Sequence, residues 1–331
     1  MLFRSVSTDM EDFPIDLTDF RKRFSTEQAC IDYLVSLRWP DGILCPVCGS
    51  SQIRGTTRGL FECKDCLRQT SVTAGTLFHN TRKPLRLWFE AMWHITNQKY
   101  GANALGLQRV LGLGSYHTAW KWLHKFRRAM VRPGRDNLTG LVELDETYVG
   151  GKSSGKRGRG ADKKCLVAVA VEDKSQMSST GKGIGRIRLG IIPDASATSL
   201  NTFVQEHISQ GSHIRTDGWS GYQNLKDLGY KHTVVDSKEL NIVHLTISLL
   251  KRWLLGTYQG AVRSSHLGYY LDEFTFRFNR RTSRSRGKLF YRLVQQALLS
   301  DPVPGQQIAG GNKTGGVPGA GLVTELHDVP F

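Results

Sequence analysis

Apolar and aromatic residues recur at helical spacing between residues 81 and 132. The first run predicts a helix with a face made of Leu85, Trp88, Phe89, Met92, Trp93 and Ile95. A second helix is predicted over Ala102–Leu111, where Gly112-Leu-Gly114 follows. Ser115 then stands at an N-cap position before a third helix that runs to Met130. The order of helix, glycine turn and helix is that of a helix-turn-helix motif.

The pattern changes to strands after a turn at residues 133–136. The predicted strands are Leu141–Val149, Leu166–Glu172, Arg186–Ile192, His213–Thr216 and His232–Val235. A helix is predicted over Ala195–Gln210, and two more at about 244–256 and 264–279. Strands that come first and then alternate with helices predict an α/β domain with a mixed sheet.

Composition divides the chain into five segments. These are an acidic then basic leader (1–24), a cysteine-containing segment (25–80), a helical segment (81–132), the α/β domain (137–298) and a tail (299–331). The tail has two Gly-Gly pairs and four prolines but no periodicity, so we expect it to be flexible.

Charge is spread unevenly along the 331 residues. Lys and Arg number 45 against 29 Asp and Glu, which gives a net charge of +16. The first twenty residues have a net charge of −4 and residues 301–331 one of −2, so residues 21–300 carry +22. A charge of that size points to a polyanionic partner, and nucleic acid is the expected one.

No stretch approaches the roughly 18 apolar residues of a membrane span. The N-terminal sequence also lacks the basic and then apolar pattern of a signal peptide. We therefore expect a cytoplasmic protein with no membrane partner, in which the six cysteines are not a disulfide framework.

Four cysteines form two CxxC pairs, Cys45-Pro-Val-Cys48 and Cys63-Lys-Asp-Cys66, with fourteen residues between them. Each pair places two thiolates on one tight turn, and two such turns bind one Zn²⁺ tetrahedrally. A closed four-sulfur site has no open position, so we expect one structural zinc ion. Residues 53–62 between the pairs are a candidate hairpin. Cys30 and Cys165 have apolar neighbours and are interpreted as packing residues.

The third helix carries polar side chains outside an apolar stripe of Ala119, Trp122 and Phe126. In a helix-turn-helix protein, the second helix of the motif enters the major groove of DNA. The side chains offered for that role are Ser115, Tyr116, His117, Thr118, Lys121, His124 and Lys125. Lys121 and Lys125 are the candidate DNA contacts. An ordinary helical hairpin with a solvated basic face is the alternative.

Two predicted strands carry aspartates in positions that suit metal binding. The two-residue period of a strand puts Glu143, Asp145 and Thr147 on one face of Leu141–Val149. Asp217 follows the short strand that ends at Thr216. Carboxylates on neighbouring strand ends can bind divalent metal, as a phosphoryl-transfer site requires. Taken alone, either aspartate would be interpreted as a turn residue or a helix-capping residue.

With these features the chain resembles the insertion-sequence transposases of bacteria that belong to the DDE class. Within that class it resembles the ISXO-like group, which has an N-terminal zinc ribbon. The resemblance lies in three stretches: the cysteine pairs, Leu144-Asp-Glu-Thr-Tyr-Val-Gly-Gly151, and residues 250–260 continuing to 270–281. It extends over roughly residues 20–295. The family implies an RNase H-like fold, metal-dependent cleavage and strand transfer at insertion-sequence ends, and action on double-stranded DNA as a dimer or higher multimer. It also implies association with the nucleoid.

The resemblance assigns four residues to the catalytic site. Asp145 matches the first family aspartate and Asp217 the second. The third position is usually a glutamate on a helix, with Lys or Arg seven residues later. Lys251 fits the basic residue, and His244 stands seven residues before it, two turns away on the same helix face. Two Mg²⁺ or Mn²⁺ ions are then held by the two aspartates and His244, and Lys251 contacts phosphate.

The identity of the third metal ligand stays open in the sequence. Glu239 and Glu273 are the other acidic candidates, although neither is in register with Lys251. His244 is otherwise a residue near a helix start without a ligand role.

Two basic stretches flank the predicted site. Residues 151–164 hold six bases and one acid, and residues 277–292 hold seven bases and no acid. Such stretches supply sequence-independent phosphate contacts. The candidate DNA contacts in them are Lys156, Arg157, Arg159, Arg280, Arg281, Arg284 and Arg286.

Two other functions are compatible with the sequence. The histidine in the third position fits an inactive DNA-binding protein or repressor derived from such an element. A zinc-ribbon nuclease that cuts DNA without joining it is the second.

Overall fold

The chain forms two compact units in the computed structural model, which describes residues 11–56, 59–132, 134–150, 164–177, 183–260 and 262–310. The first unit comprises Met1–Ala119 and Ser283–Pro302, and the second comprises Trp120–Thr282 and Val303–Phe331. The described helices are α1 (Leu17–Arg23), α2 (Glu27–Arg38), α3 (Leu85–Asn97), α4 (Ala104–Leu111), α5 (Tyr116–Ala129), α6 (Ala197–His207), α7 (Asn241–Tyr258), α8 (Leu267–Phe278), α9 (Arg286–Leu299) and α10 (Gly305–Gly310). The described strands are β1 (Ile53–Gly55), β2 (Phe61–Cys63), β3 (Gln69–Thr70), β4 (Leu141–Val149), β5 (Cys165–Asp173), β6 (Ile184–Ile192), β7 (His213–Thr216) and β8 (Lys231–Val234).

An aromatic cluster forms the core of the first unit. Phe290 of α9 lies with its ring centroid 5.3 Å from Phe20, 5.5 Å from Phe89 and 5.8 Å from Trp93. These rings join α9 to α1 and α3 because large aromatic side chains bury the most apolar area. The predicted boundary at residue 298 places α9 with the α/β domain, whereas the structure groups it with the N-terminal helices.

The helix-turn-helix pattern is present as α4 and α5. The side chain of Asn103 accepts a hydrogen bond from the Gly106 amide at 2.7 Å and so caps α4. Gly112 ends α4 in the left-handed conformation, with φ of 60°, which glycine adopts without strain. The boundary between the compact units falls inside α5, so the helix from Trp120 onward belongs to the second unit.

The second unit is built on a five-stranded mixed sheet in the order β6-β5-β4-β7-β8. β4, β5 and β6 form an antiparallel meander, and β7 and β8 run parallel to β4. Counted in chain order this arrangement is 3-2-1-4-5, which is the RNase H-like topology that the resemblance implies. The prediction of a mixed α/β fold is confirmed.

Helices cover both faces of this sheet. Val142 and Leu144 of β4 pack with Phe203 of α6 on one face. The other face packs against α7 and α8 through residues such as Val169 and Ile247. Because side chains alternate along a strand, Glu143 and Asp145 lie on the α7 face of β4.

The start of the predicted flexible tail is ordered. Residues 305–310 form α10, where Ile308 is buried and its carbonyl oxygen lies 3.0 Å from His266 Nε2. Residues 311–331 lie outside the described residues. No helix in the described part of the chain is long and apolar enough to cross a membrane.

Candidate active site

The four paired cysteines meet in the small sheet formed by β1, β2 and β3. Their sulfur atoms all lie within 4.8 Å of one another. Cys45 Sγ is 3.5 Å from Cys66 Sγ, and Cys48 Sγ is 3.6 Å from Cys63 Sγ. A tetrahedral zinc ion with Zn–S bonds of about 2.3 Å places its sulfurs about 3.8 Å apart, so the cluster fits Zn²⁺.

The four thiols of this cluster perturb one another. The amides of Cys48 and Val47 donate toward the Cys45 sulfur and lower the pKa of that thiol to about 6, whereas contacts with the other thiols raise the pKa of Cys48 and Cys66. Thiolate is the form that binds metal. The distances between the sulfur atoms confirm the geometry of the predicted zinc site. By contrast, burial raises the pKa of the Cys30 thiol to about 12, in keeping with a packing role.

Asp145 and Asp217 lie at equivalent positions on two neighbouring parallel strands. The β4–β7 pairing sets Glu143 opposite Arg215. Two residues further along each strand come Asp145, still within β4, and Asp217, directly after β7. The shared register puts both carboxylates on the sheet face that α7 covers. Asp217 Oδ1 also accepts the Trp219 amide at 3.0 Å, which fixes the turn after β7.

Helix α7 brings His244 and Lys251 to this face. His244 Nε2 lies 3.2 Å from Asp145 Oδ2. Lys251 follows two turns later, and its pKa is lowered by burial while the Asp145 charge opposes that shift. The structure therefore places His244 against Asp145, while Asp217 and Lys251 lie close enough to Asp145 for their charges to interact with it.

Negative charge is crowded around Asp145. Burial raises its pKa to about 6, and the charges of Glu146 and Asp217 act in the same direction. Glu146 Oε2 itself accepts a hydrogen bond from Tyr222 Oη at 2.5 Å. A divalent cation bound among several carboxylates relieves the repulsion between their charges, and carboxylate oxygens are ligands for such cations.

The three proposed metal ligands are less tightly gathered than the cysteines. Among the described residues, the four cysteines alone form a group of three or more such side chains whose ligand atoms all lie within 4.8 Å. His244 Nε2 contacts Asp145 Oδ2, and Asp217 accepts a hydrogen bond from its own turn. The set has the right chemistry for Mg²⁺ or Mn²⁺, but its side chains are not gathered around one point.

The two alternative glutamates are held elsewhere. Glu273 is fully buried on α8, where its carboxylate pairs with Arg127 Nε at 2.8 Å and with Arg277 Nε at 2.9 Å. Glu239 belongs to a capping box with Asp236 ahead of α7. Neither carboxylate is placed beside Asp145, which favours His244 over both.

Comparison with known protein families agrees with this arrangement. A model of the ISXO2-like transposase domain matches residues 137–279, and a model of the transposase zinc-ribbon domain matches residues 25–69. Together they cover more than half of the chain. The chain therefore contains an ISXO2-like transposase domain and a transposase zinc-ribbon domain.

The chain is also similar to individual proteins outside these two models. An uncharacterized protein in the transposable element ISH50 of Halobacterium salinarum is 28% identical over 305 residues, which is 84% of this chain and 99% of that protein. Crystal structures of a Mos1 pre-cleavage transpososome and of the Mos1 strand transfer complex match 64% of this chain and 75% of theirs. Their identities are 13% and 12% and their TM-scores 0.26 and 0.25, too low to add to the fold argument.

Several side chains of α5 that were expected to contact DNA are more buried than expected. Lys121 and Lys125 are half-buried on α5, and burial lowers the pKa of Lys125. His124, expected on the polar face, is fully buried, with its ring 4.2 Å from that of Trp120 and 5.2 Å from that of His266. The helical period could not show this, because α5 is enclosed on more than one side.

The arginines after α8 also fall into two groups. Arg281 donates to the carbonyl oxygens of Ile184, Gly185 and Phe278, so its guanidinium supports the protein backbone. Arg280 donates to the Phe276 carbonyl oxygen and stacks on that ring. The remaining candidates of this stretch, Arg284 and Arg286, are exposed and belong to the first unit. Lys156, Arg157 and Arg159 lie outside the described residues.

The sequence did not predict the contacts that two buried residues make near the candidate site. Glu143, on the same strand face as Asp145, accepts backbone hydrogen bonds from the start of α7. Arg127 of α5 is buried against Glu273, 146 residues away. The two-residue period marked Glu143, but no sequence signal marked its partner.

Proposed function

We propose that this protein cleaves DNA at the ends of an insertion sequence and joins the freed ends to target DNA. The observation that carries the proposal is the placement of Asp145 within β4 and of Asp217 directly after the parallel strand β7, with His244 of α7 3.2 Å from Asp145. Acidic residues on neighbouring strands, opposed by a lysine, suit a reaction at a phosphodiester.

Each chemical step exchanges one phosphorus–oxygen bond for another. In cleavage, a water oxygen bonds to phosphorus, the bond to the 3′ oxygen breaks, and that oxygen leaves with a proton. In joining, the freed 3′-hydroxyl bonds to a target phosphorus and displaces a target oxygen. No outside energy source is required, because the number of phosphodiester bonds is unchanged in the joining step.

The four residues of the candidate site have different proposed roles in this chemistry. Asp145 and Asp217, with His244 as the third ligand, would hold Mg²⁺ or Mn²⁺, which in such sites stabilises charge on the attacking and leaving oxygens. In that role a metal ion would replace the direct contact between His244 Nε2 and Asp145 Oδ2. Lys251 lies on the same helix, where its charge interacts with that of Asp145 and can orient the phosphate as a point charge.

Double-stranded DNA is the proposed partner, both as element end and as target. The net charge of +16 supports it, and so does the family. We further propose a dimer or higher multimer, since two element ends must be joined in one event, and action at the nucleoid.

A strand-transfer assay with pre-cut ends in Mg²⁺ or Mn²⁺, run beside a cleavage assay, tests the proposal. Transfer by the wild type and loss in Asp145→Ala support it. Cleavage without joining would indicate a nuclease.

A DNA-binding protein without catalysis is the second candidate function. The 3.2 Å contact between His244 Nε2 and Asp145 Oδ2 favours it, since these two proposed ligands contact each other without a metal. End binding with neither cleavage nor transfer would favour that function over ours.

A further inference from the structure

Glu143 contacts all three elements that carry the candidate catalytic residues. It lies in β4, two residues before Asp145, and is 1% exposed. Its Oε2 accepts hydrogen bonds from the amides of Ile242 and Val243 at the start of α7, each at 2.9 Å. Its Oε1 lies 3.5 Å from Arg215 Nη1 on β7, two residues before Asp217.

The start of α7 depends on this carboxylate. The N-cap residue of α7 is Leu240, which has no side-chain acceptor for the first amides. Unpaired amides at a helix start are costly when buried, and a negative charge there also interacts favourably with the helix dipole. Glu143 supplies both the acceptor and the charge from a position 99 residues earlier in the chain.

The position of His244 follows from this contact. His244 comes directly after Val243, so the first turn of α7 that Glu143 holds is the turn that carries His244. Through Arg215 the same carboxylate also contacts the strand that leads to Asp217. Because Glu143 is buried in the sheet, it does not itself reach DNA.

We propose that Glu143 is a positioning residue that holds His244 and Lys251 against Asp145 and Asp217. The inference rests on the proposed function, in which those four residues act together. Glu143→Gln keeps a neutral acceptor for the amides but removes the charge, and Glu143→Ala removes both. Misplacement of reacting groups by about an ångström costs up to about a hundredfold in rate.

Glu27 offers a matched control. It lies in α2 of the first unit, and its carboxylate accepts the amides of Leu85 at 2.7 Å and Arg86 at 3.1 Å at the start of α3. The N-cap residue of α3 is Pro84, which also has no side-chain acceptor. Glu27→Gln therefore removes a carboxylate charge from the same kind of helix start in the other compact unit, at an exposed side chain.

The experiment measures strand transfer with pre-cut ends at a temperature where every variant is folded by circular dichroism. We expect kcat to fall about tenfold in Glu143→Gln and more in Glu143→Ala, with the KM for DNA unchanged, while Glu27→Gln transfers at the wild-type rate. In a His244→Ala background, Glu143→Gln should have little further effect, because it acts through that residue. An equal kcat for wild type and Glu143→Gln, or full additivity with His244→Ala, would overturn the proposal.

Hydrogen exchange of residues 240–248 separates this inference from the proposed function. We expect faster exchange there in Glu143→Gln but not in Glu27→Gln. If the wild type transfers no strands, the proposed function fails and the exchange still decides the role of Glu143. Unchanged exchange in Glu143→Gln overturns the inference whatever the activity.

Discussion

His244 Nε2 on α7 lies 3.2 Å from Asp145 Oδ2 on β4, so the third candidate ligand contacts the first. In the proposed site both groups would bind metal, and a metal ion held by both would replace this contact. Substitutions at Asp145 and His244 therefore test whether the two side chains act as ligands.

Removal of either aspartate should abolish catalysis and leave DNA binding. We expect Asp145→Ala and Asp217→Ala to lower strand transfer by roughly a thousandfold or more, because a catalytic metal contributes several kcal/mol to the transition state. A filter-binding assay at fixed salt gives DNA affinity beside the transfer assay. Transfer at the wild-type rate by either variant would contradict the assignment.

His244→Ala should lose most activity, and His244→Glu should change the preferred metal. Nitrogen ligands suit Mn²⁺ better than Mg²⁺, so the wild type should favour Mn²⁺. The glutamate adds a carboxylate and should shift the ratio of Mg²⁺ to Mn²⁺ activity upward. Glu239→Ala, whose carboxylate is in a capping box, is the control and should retain activity.

The raised pKa of Asp145 should make the metal-free protein less stable as pH rises from about 4 to about 6. A carboxyl whose pKa is higher in the folded state takes up protons on folding, so deprotonation in that range favours the unfolded state. Asp145→Asn should remove this dependence and raise the Tm near pH 7. Thermal unfolding in EDTA at a series of pH values measures it, provided the zinc site is intact by metal analysis.

Activity should show the opposite dependence. Metal binding needs Asp145 ionised and His244 without its second proton. Strand transfer should therefore fall as pH drops, because protons compete with the metal for both groups. If a higher concentration of Mn²⁺ did not restore activity at low pH, competition at these ligands would be contradicted.

The purified protein should contain about one zinc per chain. Cys48→Ser should lose the zinc and unfold the ribbon, because structural zinc supplies the folding energy of such small modules. Cys165→Ser, a half-buried cysteine outside the cluster, should keep the metal. Mass spectrometry under native conditions distinguishes the two variants.

The arginines after α8 should affect two different properties, DNA binding and stability. Neutralising exposed Arg284 and Arg286 to glutamine should reduce the salt slope of DNA binding by about two, since each phosphate contact contributes about 0.9. Arg281→Gln should instead lower the Tm, because its guanidinium donates to backbone carbonyl oxygens. An unchanged slope in the double variant would show that both side chains face solvent.

The buried pair of Arg127 and Glu273 should be costly to break. Arg127→Met leaves a fully buried carboxylate with one partner fewer, and we expect a loss of about 3–5 kcal/mol in unfolding free energy. Replacing both residues with methionine should recover much of that loss. If the double variant folds and still transfers strands, Glu273 is excluded as a metal ligand.

Local patterns in the sequence predicted much of this fold. The two-residue period of β4 placed Glu143 and Asp145 on one face, and the CxxC spacing predicted a cluster that the structure forms. Both are short-range features, in which a turn or a strand fixes neighbouring side chains. Asp217 was found because a strand ending on an aspartate is itself a local pattern.

Pairings between distant segments could not be read in the same way. The contact of Glu143 with α7 and that of Arg127 with Glu273 join residues 99 and 146 positions apart. Helical spacing says which residues share a face but not what covers that face. For the same reason His124 was expected to be exposed and is buried, and α9 was expected with the sheet and lies with the N-terminal helices.

The placement of α5 has a consequence for the DNA that this protein selects. From Trp120 onward the helix belongs to the same compact unit as the five-stranded sheet, and Arg127 fastens it to α8. If Lys121 or Lys125 in this part of α5 contacts bases, the distance between those base pairs and the phosphate that is cut is fixed within one compact unit. One inserted base pair would turn the read sequence by about 34° around the duplex and carry it out of reach of α5. The element would then need a fixed spacing between that sequence and its end, in addition to the sequence itself.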